Sequence, residues 1–234
     1  MGRTMRNKEI KILYEDADIL VVIKPRGIAT QSKSLRNMDM ERWVKNYLYQ
    51  KNPVGKEPYV AVIHRLDQPV KGVLVFAKNE KAARGLNQVL QTGRFGKYYV
   101  ALVDGVPENT EGTLEDYLVK DGKNNVSRVC TANTRGAKIA RLSYRVLETE
   151  EKKAESKDVQ TLLEIHLDTG RHHQIRVQMA HMGCPLTGDT KYNPKATEAE
   201  GWQQIHLCAY KLEFKHPVNG KKMHFEIEKE EWWT

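Results

Sequence analysis

Between Tyr59 and Asn79 the chain reads YVAVIHRLDQPVKGVLVFAKN. The flanks, Tyr59 to Ile63 and Gly72 to Lys78, are apolar and rich in β-branched residues, the composition of strands buried in a sheet. The segment between them is dense in charge and hydrogen-bonding capacity: His64, Arg65 and Asp67. A solvated turn needs only Asn, Gly and Ser. An arginine two residues before an aspartate, in a loop held by strands on both sides, is the arrangement expected where a carboxylate is aimed at something.

The rest of the chain fits a sheet around that loop. Ile10 to Asp16 and Ile19 to Ile23 read as strands joined by a turn at Ala17 and Asp18, and "KPRG" breaks the second. Met40, Trp43, Val44, Tyr47 and Leu48 have helical spacing, with Asn37 and Asp39 as possible caps. Glu80 to Gln91 is a second helix, with Ala82, Leu86 and Val89 on one side and Gly93 to end it. Strand signals follow at Lys97 to Asp104, Thr113 to Val119, Ser127 to Cys130, Lys138 to Glu148 and Val159 to Leu167, with ETEEKKAESKD as a solvated hairpin tip. Gln204 to Phe214 and Met223 to Glu228 alternate apolar and polar residues around PVNGK, where Asn219 and Gly220 tolerate positive φ. No repeat or linker divides the chain. The expectation is one α+β domain over residues 1–234, with a mixed, largely antiparallel sheet flanked by helices.

Composition narrows the partner. The formal net charge is +8, from 38 basic against 30 acidic residues, which favours a polyanion. No apolar run reaches the roughly 18 residues of a membrane span, and the N-terminus lacks the apolar stretch of a secretory signal, so a cytoplasmic protein is expected. Cys130, Cys184 and Cys208 are widely spaced, without a C-x-x-C pair, and signal neither a disulfide framework nor a zinc ribbon.

A second dense stretch, LDTGRHHQIRVQMAHMGCPLTGD, runs from Leu167 to Asp189. The spacing of Ile175, Met179 and Met182 predicts a helix from about His172 to Met182, capped by Gly183 and stopped by Pro185. Its start carries Arg171, His172, His173, Gln174 and Arg176, where backbone N–H groups already favour anions such as phosphate. Adjacent histidines point in different directions on a helix, and His181 completes no zinc spacing, so no metal site is expected. Taken alone, Arg176 reads equally as a solvated helix residue, and Asp67 as a turn-former or cap. Local reading does not name the reaction.

HRLDQPVKGVLVFAKN resembles the signature of the RluA-type family of RNA pseudouridine synthases. Three more stretches are similar to that family in the same order: LYEDADILVVIKPRG, GKYYVALVDG and DTGRHHQIRVQMAHMGCPLTGD. The resemblance implies that Asp67 is the catalytic aspartate, Tyr99 the active-site tyrosine and Arg176 the arginine that pairs with the aspartate. It also implies an RNA substrate, ribosomal or transfer, no cofactor, and no obligate protein partner. Arg65 would hold RNA or fill the space of an extruded base. His64, Lys24, Lys71, Lys97, Arg171, His172, His173 and Gln174 are further candidates for RNA contact. With nine residues ahead of the first strand, no N-terminal S4 domain is expected.

The chemistry suits those residue types. Isomerising uridine breaks the N1–C1′ bond, turns the uracil and forms a C5–C1′ bond, so positive character develops on the sugar. An ionised carboxylate stabilises it, by attack at C1′ or by taking the C2′ proton to give a glycal. Tyr99 would then remove the C5 proton or stack on the rotated base. The chain departs from the family pattern at Val70-Lys71-Gly72 (usually Thr-Ser-Gly), at Gln178 (usually His) and at Ile23 (usually Asn). None of these touches Asp67, Tyr99 or Arg176; they bear on RNA grip and site choice. Two other classes remain: an RNA-binding module without catalysis, and a hydrolase, either an N-glycosylase using Asp67 or a metal enzyme using His64, Asp67 and His173.

Overall fold

The computed structural model describes residues 10–151 and 159–234, apart from 35 and 54. The chain forms two compact units: the residues up to Phe95 together with Lys211–Glu228, and Gly96–Tyr210 together with Lys229–Thr234.

In the first unit β1 (Ile12–Glu15) and β2 (Ile19–Lys24) form an antiparallel hairpin. Asp16 makes its turn, Oδ1 accepting from the N–H groups of Asp18 and Ile19, both at 2.8 Å. α1 (Met40–Lys51) starts at Asp39, whose Oδ1 accepts from Arg42 N, and buries Met40 and Val44. β3 (Ala61–Val62) is shorter than the run from Tyr59 to Ile63 predicts, because only Ala61 and Val62 oppose β4 (Lys71–Ala77). β2 and β4 pair antiparallel from Ile19↔Ala77 to Lys24↔Gly72, and both are buried along their whole length, as continuous apolar runs require. α2 (Glu80–Gln91) is capped by Asn79 and left through Gly93 at φ +69°.

In the second unit the strands are β5 (Gly96–Asp104), β6 (Glu111–Asp121), β7 (Val126–Cys130), β8 (Lys138–Glu151) and β9 (Val159–Leu167). They pair antiparallel in the order β5-β9-β8-β6-β7. Glu148 to Glu151, the first four residues of the hairpin tip expected over ETEEKKAESKD, continue β8 against β9; residues 152–158, where the rest of that expectation falls, lie outside the described residues. α3 (Gln174–His181) packs Val177 among Leu118 and Ala140, with Val129 and Tyr192 alongside. α4 (Pro194–Glu198) is a short helix capped by Asn193, with proline in its first turn.

β10 (Leu207–Lys215) then carries the chain back into the first unit, where Lys211 to Lys215 pair with β11 (Lys222–Glu226). Gly220 takes φ +73° in the intervening hairpin, while Asn219 keeps an ordinary φ. The buried His216 ring accepts from the N–H groups of Val218 and Asn219 and bonds Asp16 at 2.9 Å, fastening this hairpin to the β1–β2 turn. The α+β class and the largely antiparallel sheet hold, and strands outnumber helices among the described residues. No helix among them is long and apolar enough to cross a membrane.

Candidate active site

The predicted site residues fall into two clusters, one in each unit. In the first, the 63–70 loop that carries Asp67 is tied down along its length to the 24–30 segment. Gly27, at φ +86°, donates to Gln68 O at 2.9 Å, and Gln68 Nε2 returns a bond to Gly27 O at 3.0 Å. Thr30 Oγ1 donates to Leu66 O at 2.9 Å and accepts from Leu66 N at 3.1 Å. Asp67 O accepts from Val70 N, closing a turn, and the half-buried Asp67 side chain stands between these anchored neighbours.

Lys24 is the third tie. Its side chain is 0 % exposed, and Nζ donates to the carbonyls of Ile28, Pro25 and Gln68 at 2.7, 3.0 and 3.1 Å. Burial pulls its pKa down to about 7, while the nearby Asp67 charge pulls the other way. Predicted as a backbone contact for RNA, Lys24 is an internal clamp, because a fully buried ammonium bonded to three carbonyls does not reach a phosphate. Lys71 is likewise buried, at the start of β4. His64 is half-buried against Phe95, 5.3 Å between ring centres, and Arg65 is exposed.

The second cluster surrounds α3. Tyr99 is buried in β5 opposite Ile165 of β9. Lys97 lies under the turn at 168–171, with Nζ directed at Thr169 O (3.4 Å); burial lowers its pKa against the pull of Asp168, and it too is no surface cation. Gln174 staples the same turn: Oε1 accepts from Thr169 Oγ1 and Arg171 N, and Nε2 donates to Arg141 O. Its polar atoms serve the fold, where contact with RNA was expected. Arg171 is half-buried, with Nε donating to Ile139 O at 2.8 Å, and half-buried His172 bonds Ser127 Oγ at 2.9 Å and Asn125 Oδ1 at 3.2 Å.

The helix predicted from His172 begins at Gln174 instead. His173 stands at φ +53°, left-handed backbone that no helix interior accepts. Its buried ring stacks on His172 at 3.8 Å between ring centres and bonds Tyr192 Oη through Nδ1 at 2.8 Å. Burial first, then the positive charge of Arg176, push its pKa down to about 2, so it is a neutral packing ring.

Arg176 is buried on α3 and carries a partner that sequence reasoning missed. Its Nε and Nη2 donate to the two oxygens of Asp189, at 2.8 and 2.6 Å, and its guanidinium lies 5.2 Å from the centre of the Tyr192 ring. The signal was present in the TGD that closes the second dense stretch, where a buried arginine demands a carboxylate. Among the described residues, Asp16, Asp18 and His216 bring ligand atoms within 4.8 Å of one another. Asp16 already accepts from two backbone N–H groups, Tyr14 Oη and His216, so this group is accounted for as the hairpin fastener.

The fold has counterparts among solved structures. Human RNA pseudouridylate synthase domain-containing protein 4 superposes at a TM-score of 0.71, with 22% identity, covering 93% of this chain and 88% of that one. Domain-containing protein 1 of the same human series reaches 0.73 with 21% identity, over 95% and 84% of the two chains. The sequence carries the likeness further. An uncharacterised RNA pseudouridine synthase of Aquifex aeolicus is 33% identical over 232 residues, 96% of this chain and 71% of that protein. The Vibrio cholerae ribosomal large subunit pseudouridine synthase D is 33% identical over 233 residues, 92% and 66% of the two. The chain thus spans about two thirds of the length of the curated relatives it matches. Residues 18–181 match the RNA pseudouridylate synthase family, and the chain belongs to that family, in its RluA-type branch. It is by class an isomerase that acts on RNA.

Proposed function

We propose that this chain isomerises uridine to pseudouridine in ribosomal RNA, in the cytoplasm, with Asp67 as the catalytic carboxylate and Tyr99 and Arg176 as its partners in the site. The observation that carries the reading is the triple clamp of Lys24, Gly27 and Thr30 on the 66–68 backbone. It spends a buried lysine and a buried threonine on holding one carboxylate-bearing loop, an investment that a solvated turn has no use for. Both units serve as one catalytic domain in this reading, supported by a family match that runs through both of them.

Asp67 stabilises the sugar as the N1–C1′ bond breaks, by attack at C1′ or by accepting the C2′ proton. The released uracil turns in place, its C5 bonds to C1′, and Tyr99 removes the C5 proton. Every atom of the substrate except exchanged protons is retained and no electron is gained or lost, so the reaction needs neither an oxidant nor a metal-activated water. Arg176 is carried over from the family's pattern as the arginine that pairs with the catalytic aspartate. A stacked uridine is out of reach, so the target base is flipped out at a cost of a few kcal/mol, offset by phosphate contacts. Arg65 and Arg171, with His64 and His172, remain the surface candidates for those contacts.

Ribosomal RNA is favoured over transfer RNA by the name of the Vibrio relative, a ribosomal large subunit pseudouridine synthase. The test is nucleoside mass spectrometry on unmodified ribosomal and transfer RNA pools carrying deuterium at uridine C5. Loss of label with new pseudouridine in the ribosomal pool is the expected result. Free uracil would instead mark a glycosylase, and binding without conversion in both pools would mark an RNA-binding module.

A further inference from the structure

Arg176 is held on two sides by residues of the second unit. Asp189 takes one edge of the guanidinium through both carboxylate oxygens, and the guanidinium carbon sits over the Tyr192 ring, 5.2 Å from its centre. Both partners are themselves immobile. Asp189 is 1 % exposed; Oδ1 also accepts from Lys191 N at 3.0 Å, and its carbonyl accepts from Asn193 N at 2.9 Å, closing a tight turn. Asn193 Nδ2 anchors that turn to Asp104 Oδ2 at 2.7 Å and to Leu186 O at 3.0 Å. Tyr192 Oη accepts from Ser127 N at 2.7 Å and bonds His173 Nδ1, so the ring cannot swing away.

A planar guanidinium with one edge bidentate on a carboxylate and a pinned aromatic ring beside it has lost its freedom to rotate. Removing its charge from water is offset by Asp189, which therefore lets an arginine stand buried and charged before any RNA arrives. We propose that Asp189 and Tyr192 are positioning residues: they hold the Arg176 guanidinium in the one orientation the reaction uses. The proposal rests on the assignment of Arg176 to the active site above. It differs from that assignment by making the geometry of Arg176 a property of the 186–193 turn.

The test has two readouts, each with Asp189→Asn, Asp189→Glu and Tyr192→Leu. The first is the rate of water exchange at Arg176 Nε–H, followed by NMR on protein labelled with ¹⁵N-arginine, the signal assigned by its loss in Arg176→Lys. The second is kcat and KM for C5 label release from unmodified large-subunit ribosomal RNA. In folded Asp189→Asn and Tyr192→Leu, exchange should speed up and kcat should fall, each by about tenfold, with KM within about threefold, and Asp189→Glu should recover part of both. Nε–H protection that survives in Asp189→Asn or Tyr192→Leu would overturn the proposal, as would a loss confined to KM. Tyr192→Leu takes away the ring beside the guanidinium, opening the ion pair to water, and decides the matter if Asp189→Asn does not fold. Should the wild type release no label, the reading of the activity fails, while Nε–H exchange still judges the clamp.

Discussion

A lysine that the local sequence paints as a surface cation is the residue that most changes the picture of this site. Lys24 stands in KPRG, a stretch that reads as a polar break after a strand, and nothing near it in sequence hints at burial. One of its three carbonyl acceptors, Gln68 O, lies 44 residues away, so the clamp is a tertiary fact. Replacing Lys24 by Met takes the buried donor from the carbonyls of Pro25, Ile28 and Gln68 at once, and stability should fall by about 2 kcal/mol or more in a denaturant melt. The slope of log RNA affinity against log salt should stay at the wild-type value, since no phosphate contact is lost; a shallower slope would return Lys24 to the RNA surface. Motif resemblance singled out Asp67, Tyr99 and Arg176, while Asp189 was quoted in its motif without a role, because bidentate pairing depends on a turn that spacing does not reveal. Gln174 and His173 were misjudged for the same reason: their partners come from β8 and from the 189–193 turn.

Among the elements, those written by a single local rule were read best. α2 matches its predicted bounds, Glu80 to Gln91, because a side-chain cap, an apolar stripe and a terminal glycine all agree. α3 was read two residues early because nothing in the local sequence marks His173 as a break; its left-handed backbone goes with its bond to Tyr192 and its stacking on His172. Gly85, in the middle of α2, offers a test of propensity against packing. Alanine there should gain about 1 kcal/mol of helix propensity, yet its Cβ would stand 2.8 Å from Pro217 Cβ and 3.0 Å from Pro217 O. Overpacking costs about 1–3 kcal/mol, so Gly85→Ala should lower the melting temperature.

Glu15 supplies a second test at this scale, joining β1 to α1 and to Lys78 just past the end of β4. Its carboxylate accepts from Tyr47 Oη, Lys51 and Lys78, each at 2.8 Å. Burial alone would raise its pKa, but these three bonds outweigh it and bring the value from 4.5 down to about 2. A depressed folded pKa contributes stability that is fully present above the unfolded value and lost as pH falls through the folded one. Glu15→Gln should therefore melt below the wild type at pH 6, with the gap closing between 4.5 and about 2. A gap that persists unchanged at pH 2 would contradict the ion-pair account.

At the scale of the whole molecule, the net charge of +8 belongs with the RNA substrate of the family. With Lys24, Lys71 and Lys97 buried, the charge available to phosphates lies on other residues, Arg65 and Arg171 among them. RNA affinity should fall by roughly 10- to 1000-fold between about 50 and about 200 mM salt, and an affinity indifferent to salt would refute an electrostatic grip. The fold class was legible because strand and helix signals alternate without a linker. The division into two units was not, because β10 passes from one to the other inside a single strand.

The central claim is that Asp67 performs the chemistry on RNA held by the rest of the molecule. It is tested most directly by single-turnover release of label from uridine C5, with wild type and Asp67→Asn, on the same unmodified large-subunit ribosomal RNA, with RNA affinity measured beside it. The account predicts rapid release and new pseudouridine with the wild type, and a loss of at least about a thousandfold in Asp67→Asn with RNA affinity within about threefold of the wild type. Label release by Asp67→Asn at a rate near the wild type's would contradict it.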